Sequence, residues 1–402
     1  MALLSFEDIS FEDKEGKIIA NFLRVFYAEI KKEDIRDIGD FEIKENSINF
    51  KGVSDFKANK QFNFLLSKTF KELKSKITGK PAVYVHQSSG IPLIGNVAFG
   101  IVDRNTSLIE IKPITGCNIN CVFCSVDQSK RQADFVVEEG YMFNELKRLI
   151  EYKECDSIEV HIGTQGEPIL YYPLIELIRD ISSIKEVKNI SIDTNGTMIT
   201  KSKADEMIDA GLTQFNLSIN SIDEKLAENI AGCKYDVKNV KELAEHISKS
   251  KAKLILTPVW IPGINDSEIP KIIEFAKKIG CRIGIQNFLN YRFGRNPAEQ
   301  MKWEMFYDKL KAWEQEYGMK LILTENDFDI TKTKKLEKPF KKDEVIKARV
   351  VCRGRLKDEM ILAAKNRNIT VAHCNENENK TIKIRITRDK HNIFYGELVS
   401  KR

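Results

Sequence analysis

The sequence predicts an α/β protein. A partial (β/α)6 barrel spans 101–296, preceded by an α+β accessory domain at 1–100. A helical extension with a basic linker follows at 297–338, then a small β-barrel of the OB type at 339–402. Three observations carry this reading. Between 107 and 288, strand-like and helix-like segments alternate six times, the pattern of a parallel sheet with right-handed crossovers. Three of the strands carry one apolar and one polar face. After 332 the pattern changes to short strands joined by polar turns, as in small closed barrels.

The first hundred residues carry no recognisable chemistry. Residues 18–30 mix apolar and polar side chains at roughly helical spacing. Residues 41–56 alternate like one or two strands, with a turn at Lys51-Gly52. Phe62, Leu65, Leu66, Phe70, Leu73 and Ile77 recur at the spacing of an amphipathic helix, stopped by Gly79 and Pro81. A packing or substrate-recognition role is the default for this part.

In the core, strands are expected at 107–115, 157–162, 189–194, 214–219, 253–259 and 282–288. Helices are expected at 141–152, 173–181, 201–210, 238–250 and 267–279, two of them closed by Gly211 and Gly280. Strands covered on both faces read as continuous apolar runs. Here Glu159 and His161 oppose Ile158, Val160 and Ile162. Ser191 and Asp193 oppose Ile190 and Ile192, and Asn216, Ser218 and Asn220 oppose Phe215, Leu217 and Ile219. Gln286 interrupts the sixth strand. A wet barrel interior that binds a polar ligand accounts for this better than an exposed antiparallel sheet, which the intervening helices contradict. In β/α barrels the reacting groups gather at the C-terminal strand ends.

Composition describes a globular chain with a core, 42% apolar and 31% charged. No apolar run is long enough to span a membrane. The first sixteen residues are acidic and mixed, so they read as neither signal nor transit peptide, and a cytoplasmic location is expected. The net charge of +5 is unevenly spread: residues 332–402 hold 20 Lys and Arg against 9 Asp and Glu, while the remainder holds 44 against 50. A basic segment on an otherwise acidic chain suits a polyanion, with a solvated surface as the alternative.

The chemistry centres on Cys117, Cys121 and Cys124, spaced four and three apart on a loop at the end of the first core strand. Disulfides are not expected in a large chain without a secretory signal. A zinc site wants a fourth ligand close by, and neither Asp127 nor His161 has that spacing. Three thiolates on one loop suit an iron–sulfur centre with one iron left open.

This C-x3-C-x2-C run, with Phe123 before its last cysteine, resembles the signature of the radical S-adenosylmethionine (radical SAM) superfamily. The resemblance covers roughly 105–290. It implies a [4Fe–4S] cluster held by the three cysteines, with SAM chelated at the open iron. SAM would be cleaved reductively to methionine and a 5′-deoxyadenosyl radical, with electrons from a donor such as ferredoxin or flavodoxin. Gln165-Gly166-Glu167-Pro168 resembles the family's Gly-Gly-Glu motif, with Gln165 in place of the first glycine. It implies that Gln165, Gly166 and Glu167 meet the SAM amino group. Ser218 and Asn220 match positions that bind the SAM carboxylate and ribose, and Asn195 ends a strand at the same level. Trp260 and Ile261, in a segment that resembles the adenine-side strand end, are candidates for an apolar wall there, with core packing the alternative.

Outside the resemblance the readings stay open. His161 is a candidate lumen base or a structurally paired histidine. Cys233 is a candidate thiol or radical residue, or a buried bystander. Trp303, Phe306, Leu310 and Trp313 form a helical stripe read as core. Arg292 and Arg295 sit in a basic-aromatic run suited to a phosphate or base. The C-terminal barrel resembles the TRAM module of RNA-modifying enzymes. Lys383, Arg385 and Arg388, with Phe394 and Tyr395, are its candidate RNA contacts. The expected function is radical SAM modification of a tRNA or rRNA nucleotide. Protein or peptide modification such as methylation, and a non-catalytic RNA-binding iron–sulfur protein, are the alternatives. A methylthiotransferase would need a second set of close cysteines, which this chain lacks.

Overall fold

Six parallel strands form the sheet on which the molecule is built. They are Leu108–Lys112, Ile158–Ile162, Val187–Thr194, Gln214–Leu217, Lys253–Leu256 and Arg282–Ile283, adjacent in that order. The computed structural model describes residues 2–163 and 165–399. A seventh strand, Gly100–Asp103, closes one edge antiparallel to Leu108–Lys112. The sheet is open between its edges, a partial barrel.

Helices cover the outer face because the sequence gives each an apolar stripe and clear ends. Leu174–Ser182 buries Leu174, Ile175, Leu177, Ile178 and Ile181, each worth about 1.5–3 kcal/mol of burial. Lys201–Ala210 starts where the Thr200 hydroxyl accepts the Lys203 N–H at 3.1 Å and stops at Gly211, φ +118°. The short helix Glu224–Ala231 was not anticipated from periodicity.

The inner face carries the polar alternation. His161 bridges the Ser191 hydroxyl at 2.9 Å and the Asp193 carboxylate at 3.1 Å. Ser191 donates to Glu159 at 2.6 Å, and Asn216 donates to Asp193 at 2.9 Å. Burial disfavours the charged ring of His161, but Asp193 and then Glu110 and Glu159 outweigh it and hold its pKa above the ordinary value. Of the two readings of His161, this is the structurally paired one.

The N-terminal part differs from expectation. Residues 18–30 form a hairpin, Lys17–Phe22 against Phe26–Lys31, burying Ile18, Ala20, Phe22, Phe26, Ala28 and Ile30. Its turn runs through Leu23 and Arg24 at φ 47° and 62°. Asp40–Lys44 and Ser47–Lys51 pair across a turn at 45–46, so the turn precedes Lys51-Gly52. The helix spans Asp55–Thr69, starting and ending earlier than the periodicity suggested.

The C-terminal strands Val345–Arg353, Glu359–Ala364, Arg367–Ala372, Thr381–Arg388 and Tyr395–Leu398 close a five-stranded barrel. Glu359–Ala364 was not foreseen. Phe394 is fully buried against Phe340, so it packs the barrel core and offers no stacking surface. The barrel does not hang on a free linker. Lys334 pairs with Glu154 at 2.6 Å, and Tyr152 donates to the Lys335 carbonyl at 3.1 Å. Buried Asn96 donates to Thr370 at 3.0 Å, and the Asn368 N–H reaches the Ile94 carbonyl at 2.8 Å. Val351, Cys352 and Ile361 join the main hydrophobic core. Among the described residues no helix is long and apolar enough to cross a membrane, and all eight cysteines are free thiols.

Candidate active site

The cysteine loop is held in place by backbone contacts that small residues permit. Gly116 adopts φ +130°, and its carbonyl accepts the Glu167 N–H at 2.7 Å. Gly166 lies so close to Gly116 that a Cβ there would meet its carbonyl oxygen at 1.9 Å. Any other residue would push the two loops apart. On the other side, the Asn120 and Val122 N–H groups donate to the carbonyls of Ala231 and Ile230 at 2.8 and 2.9 Å. These carbonyls end the helix Glu224–Ala231, which the intrahelical ladder leaves free.

Cys117, Cys121 and Cys124 surround one cavity of ≈250 Å³, with Gln165, Gly166, Glu167, Asn195, Ser218 and Asn220 also in its wall. Among the described residues, no three His, Cys, Asp or Glu groups converge tightly enough to hold a single metal ion. The thiols instead ring a space, which suits a polynuclear centre. Burial pushes the Cys117 thiol up to about 12, and Cys121 moves in the same direction. Soft cations in the cavity would reverse that and favour thiolates. The donor set therefore fits an iron–sulfur cluster with all three thiols as ligands.

Glu167 is buried beneath the cavity. Its carboxylate accepts from the Thr194 hydroxyl at 2.7 Å, the Asn195 N–H at 2.8 Å and the Ile169 N–H at 3.3 Å. Burial still raises its pKa to about 7, despite those hydrogen bonds. Asn195 also donates to Asn118 at 3.0 Å, beside Cys117. Asn220 accepts the Val259 N–H at 2.9 Å, fixing its amide in the wall.

Two candidates lie elsewhere. Trp260 points away from the cavity, packing on Trp313 at 4.9 Å and Phe306 at 5.9 Å and donating to Asp266 at 2.7 Å. Ile261 is fully buried with Ile230 and Phe288, and Phe123 packs against this cluster. Both are core residues, and Ile261 supports the cysteine loop from beneath. Of the expected core stripe, Phe306, Leu310 and Trp313 are buried, whereas Trp303 at the start of the helix is 47% exposed. Cys233 follows Gly232 outside the cavity wall, and His161 lies deeper in the lumen.

Arg295 is not a free cation. Its side chain donates to Asp127 at 3.1 Å and to the Asn120 and Cys121 carbonyls at 2.7 and 3.2 Å, while its N–H reaches the Cys124 carbonyl at 2.9 Å. It clamps the cysteine loop. Arg292 is exposed, over the Phe293 ring at 5.1 Å. Residues that orient metal ligands typically change metal affinity tenfold or more. Arg295→Ala is therefore expected to retain iron about tenfold less well through gel filtration, while the secondary structure stays unchanged. Iron analysis beside far-ultraviolet circular dichroism checks both halves.

The cavity also includes Asp193, from the polar strand face expected to line the interior, and Arg131, Thr194 and Tyr235, which no sequence pattern placed there. Tyr235 donates to the Asn195 and Ser218 carbonyls at 3.4 and 3.3 Å. Arg131 is paired with Asp134 at 3.4 Å, both fully buried, and also donates to the Gln165 carbonyl. An arginine seven residues after Cys124 was the available signal. Lys80, from the N-terminal part, holds the carbonyls of Gln128 and Arg131, each at 2.5 Å.

Residues 111–276 match the model of the Radical SAM superfamily. The chain belongs to the radical SAM superfamily. It is 39% identical over 361 residues to an uncharacterised protein of Methanocaldococcus jannaschii, covering 81% of this chain and 83% of that one. It is 27% identical over 221 residues to the GTP 3′,8-cyclase of Campylobacter jejuni subsp. doylei, covering 55% of this chain and 67% of that one. Among solved structures, Streptococcus suis SuiB bound to its precursor peptide SuiA is 15% identical with a TM-score of 0.45, covering 79% of this chain and 71% of that one. As a radical SAM enzyme the chain uses a [4Fe–4S] cluster and SAM, which together supply a carbon-centred radical when bound. The chain's own contribution is a buried, rigid wall around that site.

Proposed function

We propose that this radical SAM enzyme modifies a nucleotide of RNA, tRNA or rRNA, drawing electrons from a donor of the ferredoxin or flavodoxin class. One observation carries the reading: a line of cationic and aromatic groups runs from the barrel surface toward the cavity. Arg388 lies over the Tyr395 ring at 5.6 Å. Tyr395 feels the charge of Arg355, whose guanidinium reaches the Gln165 side chain at the cavity wall. Lys383 is exposed, and Lys347 stands opposite it in register on the neighbouring strand. Like charges facing each other across an antiparallel pair destabilise it, and a bound polyanion would relieve that. Arg385 is partly engaged, by the Asp343 carbonyl at 3.3 Å. A curated relative named for GTP acts, by that name, on a nucleotide, which supports the same substrate class.

The test is filter binding of tRNA and rRNA fragments at two salt concentrations, with the wild type and a Lys383→Glu/Arg388→Glu variant. Each lost phosphate contact should flatten the salt slope by about one, and affinity should fall about tenfold or more. Unchanged affinity and slope would remove RNA from the barrel. The radical chemistry would then be sought on another substrate.

A further inference from the structure

The turn between the barrel strands Val345–Arg353 and Glu359–Ala364 is wedged against the SAM-facing loop. Gln132, shortly after the cysteines, grips this turn. Its N–H donates to the Arg355 carbonyl at 2.7 Å, and its side chain donates to the carbonyls of Gly354 and Glu359 at 3.1 and 3.0 Å. Inside the turn, the Glu359 carboxylate accepts the N–H groups of Arg355 and Leu356 at 2.9 and 3.1 Å. The turn is therefore rigid and fixed to the core. It aims the Arg355 guanidinium at the Gln165 side-chain oxygen. Arg131 donates to the backbone oxygen of the same residue. Gln165 is thus held at both its side chain and its backbone, directly before Gly166 and Glu167. From Arg131 the network continues through Asp134, which accepts from Thr115 at 3.2 Å and from Thr78 at 2.5 Å. Through Asp134, Arg131 and Gln165 this network joins the N-terminal part, the core and the barrel.

We propose that Arg355 is a positioning residue for SAM binding: through Gln165 it locks the Gly166–Glu167 loop against Gly116. The barrel is then a structural part of the cofactor site as well as a surface. A glutamine at 165 has a physical reason here, since a glycine would offer Arg355 no side-chain acceptor. The guanidinium sits among buried groups with Arg131 nearby, and Glu359 supplies the compensating charge. The inference rests on reading 165–167 as the SAM-facing loop; it does not require that RNA binds the barrel.

The experiment uses the full chain with its cluster reconstituted anaerobically. SAM affinity is measured by equilibrium dialysis, iron content by analysis, and loop mobility by hydrogen exchange of the peptide containing 165–169. Arg355→Ala should bind SAM about tenfold more weakly, one charged hydrogen bond, with iron content unchanged and exchange in 165–169 faster. Gln165→Ala should do the same, and the double variant should be no worse than either, because the two act as one contact. Arg355→Lys should restore part of the affinity. SAM affinity within about twofold of wild type in Arg355→Ala, or effects of the two single variants that multiply, would overturn the proposal. Glu167→Ala runs alongside. If it too leaves SAM affinity intact, the loop does not face SAM and the inference falls with that reading. If Glu167→Ala weakens binding while Arg355→Ala does not, only the role of Arg355 is lost. Should Arg355→Ala fold poorly, Gln165→Ala and Arg355→Lys carry the same comparison.

Discussion

Cys121→Ala protein, reconstituted anaerobically with iron and sulfide, is expected to hold little iron and to release no 5′-deoxyadenosine from SAM above background. Cys121 lies between the other two cysteines in sequence and shares their cavity. Its loop is fixed at Asn120 and Val122 by the carbonyls of Ala231 and Ile230, so the loop itself does not rearrange to offer another ligand. Cys233 is near enough to affect the Cys121 thiol electrostatically but is not part of the cavity wall. With three thiolates as the whole protein contribution, losing one should lower cluster affinity by far more than the tenfold typical of an orienting residue. The fold should survive, because a smaller side chain at the cavity surface leaves the sheet and helices untouched. Far-ultraviolet circular dichroism matching wild type, together with iron near zero, is the expected pair of results. Full iron retention in Cys121→Ala would mean that other groups hold the metal, and the assignment of the cysteine loop would be wrong.

The contrast between Cys121 and Arg355 shows which features a linear reading reaches. The cysteines, Gly166 and Glu167 declare themselves because their chemistry lies in short runs at strand ends, where spacing and function coincide. The polar faces of His161, Asp193 and Asn216 are legible because strand alternation has a period of two. Trp260 and Ile261 were harder. The strand is interrupted after Leu256 and resumes as Val259–Trp260, so alternation no longer says which side chain faces inward. The partner of Trp260 is the helix Trp303–Tyr317, some forty residues on. Arg295 was read from its basic-aromatic neighbourhood, yet its partners are backbone carbonyls, which no composition signal reports. Arg355 meets Gln165 across 190 positions. Only the closure of the C-terminal barrel and its docking bring them together. The hairpin at 18–30 was misread because Leu23 and Arg24 make its turn without glycine or asparagine.

Glu167 should produce the second large effect, and its pH dependence separates two roles. Replacing it by alanine strands the Thr194 hydroxyl and the Asn195 and Ile169 N–H groups in a buried place. The expected loss is at least about 3 kcal/mol of stability, since each of the three buried groups left unsatisfied costs about 1–3 kcal/mol. Glu167→Gln keeps the shape and removes the charge. It should weaken SAM binding by about 2 kcal/mol, roughly thirtyfold, if the carboxylate meets the ammonium group. The sign of the pH effect follows from the raised pKa of about 7. The folded protein holds this proton more tightly than the unfolded chain does. The stabilisation is complete below the ordinary carboxyl value of 4.5 and is lost as pH rises through about 7. In cluster-free protein, urea denaturation at about pH 6 and about pH 8 should show the wild type losing about 1.4 kcal/mol that Glu167→Gln keeps. SAM affinity should run the other way, rising with pH as the carboxyl ionises, and Glu167→Gln should flatten it. The fold is thus less comfortable with the ionised carboxylate at neutral pH than with the neutral acid. A cation arriving in the cavity would offset that discomfort, and a ligand that carries an ammonium group would be favoured on that account. A wild-type affinity that does not change with pH, alongside an unchanged Glu167→Gln affinity, would leave Glu167 as a loop-holding carboxylate and no more.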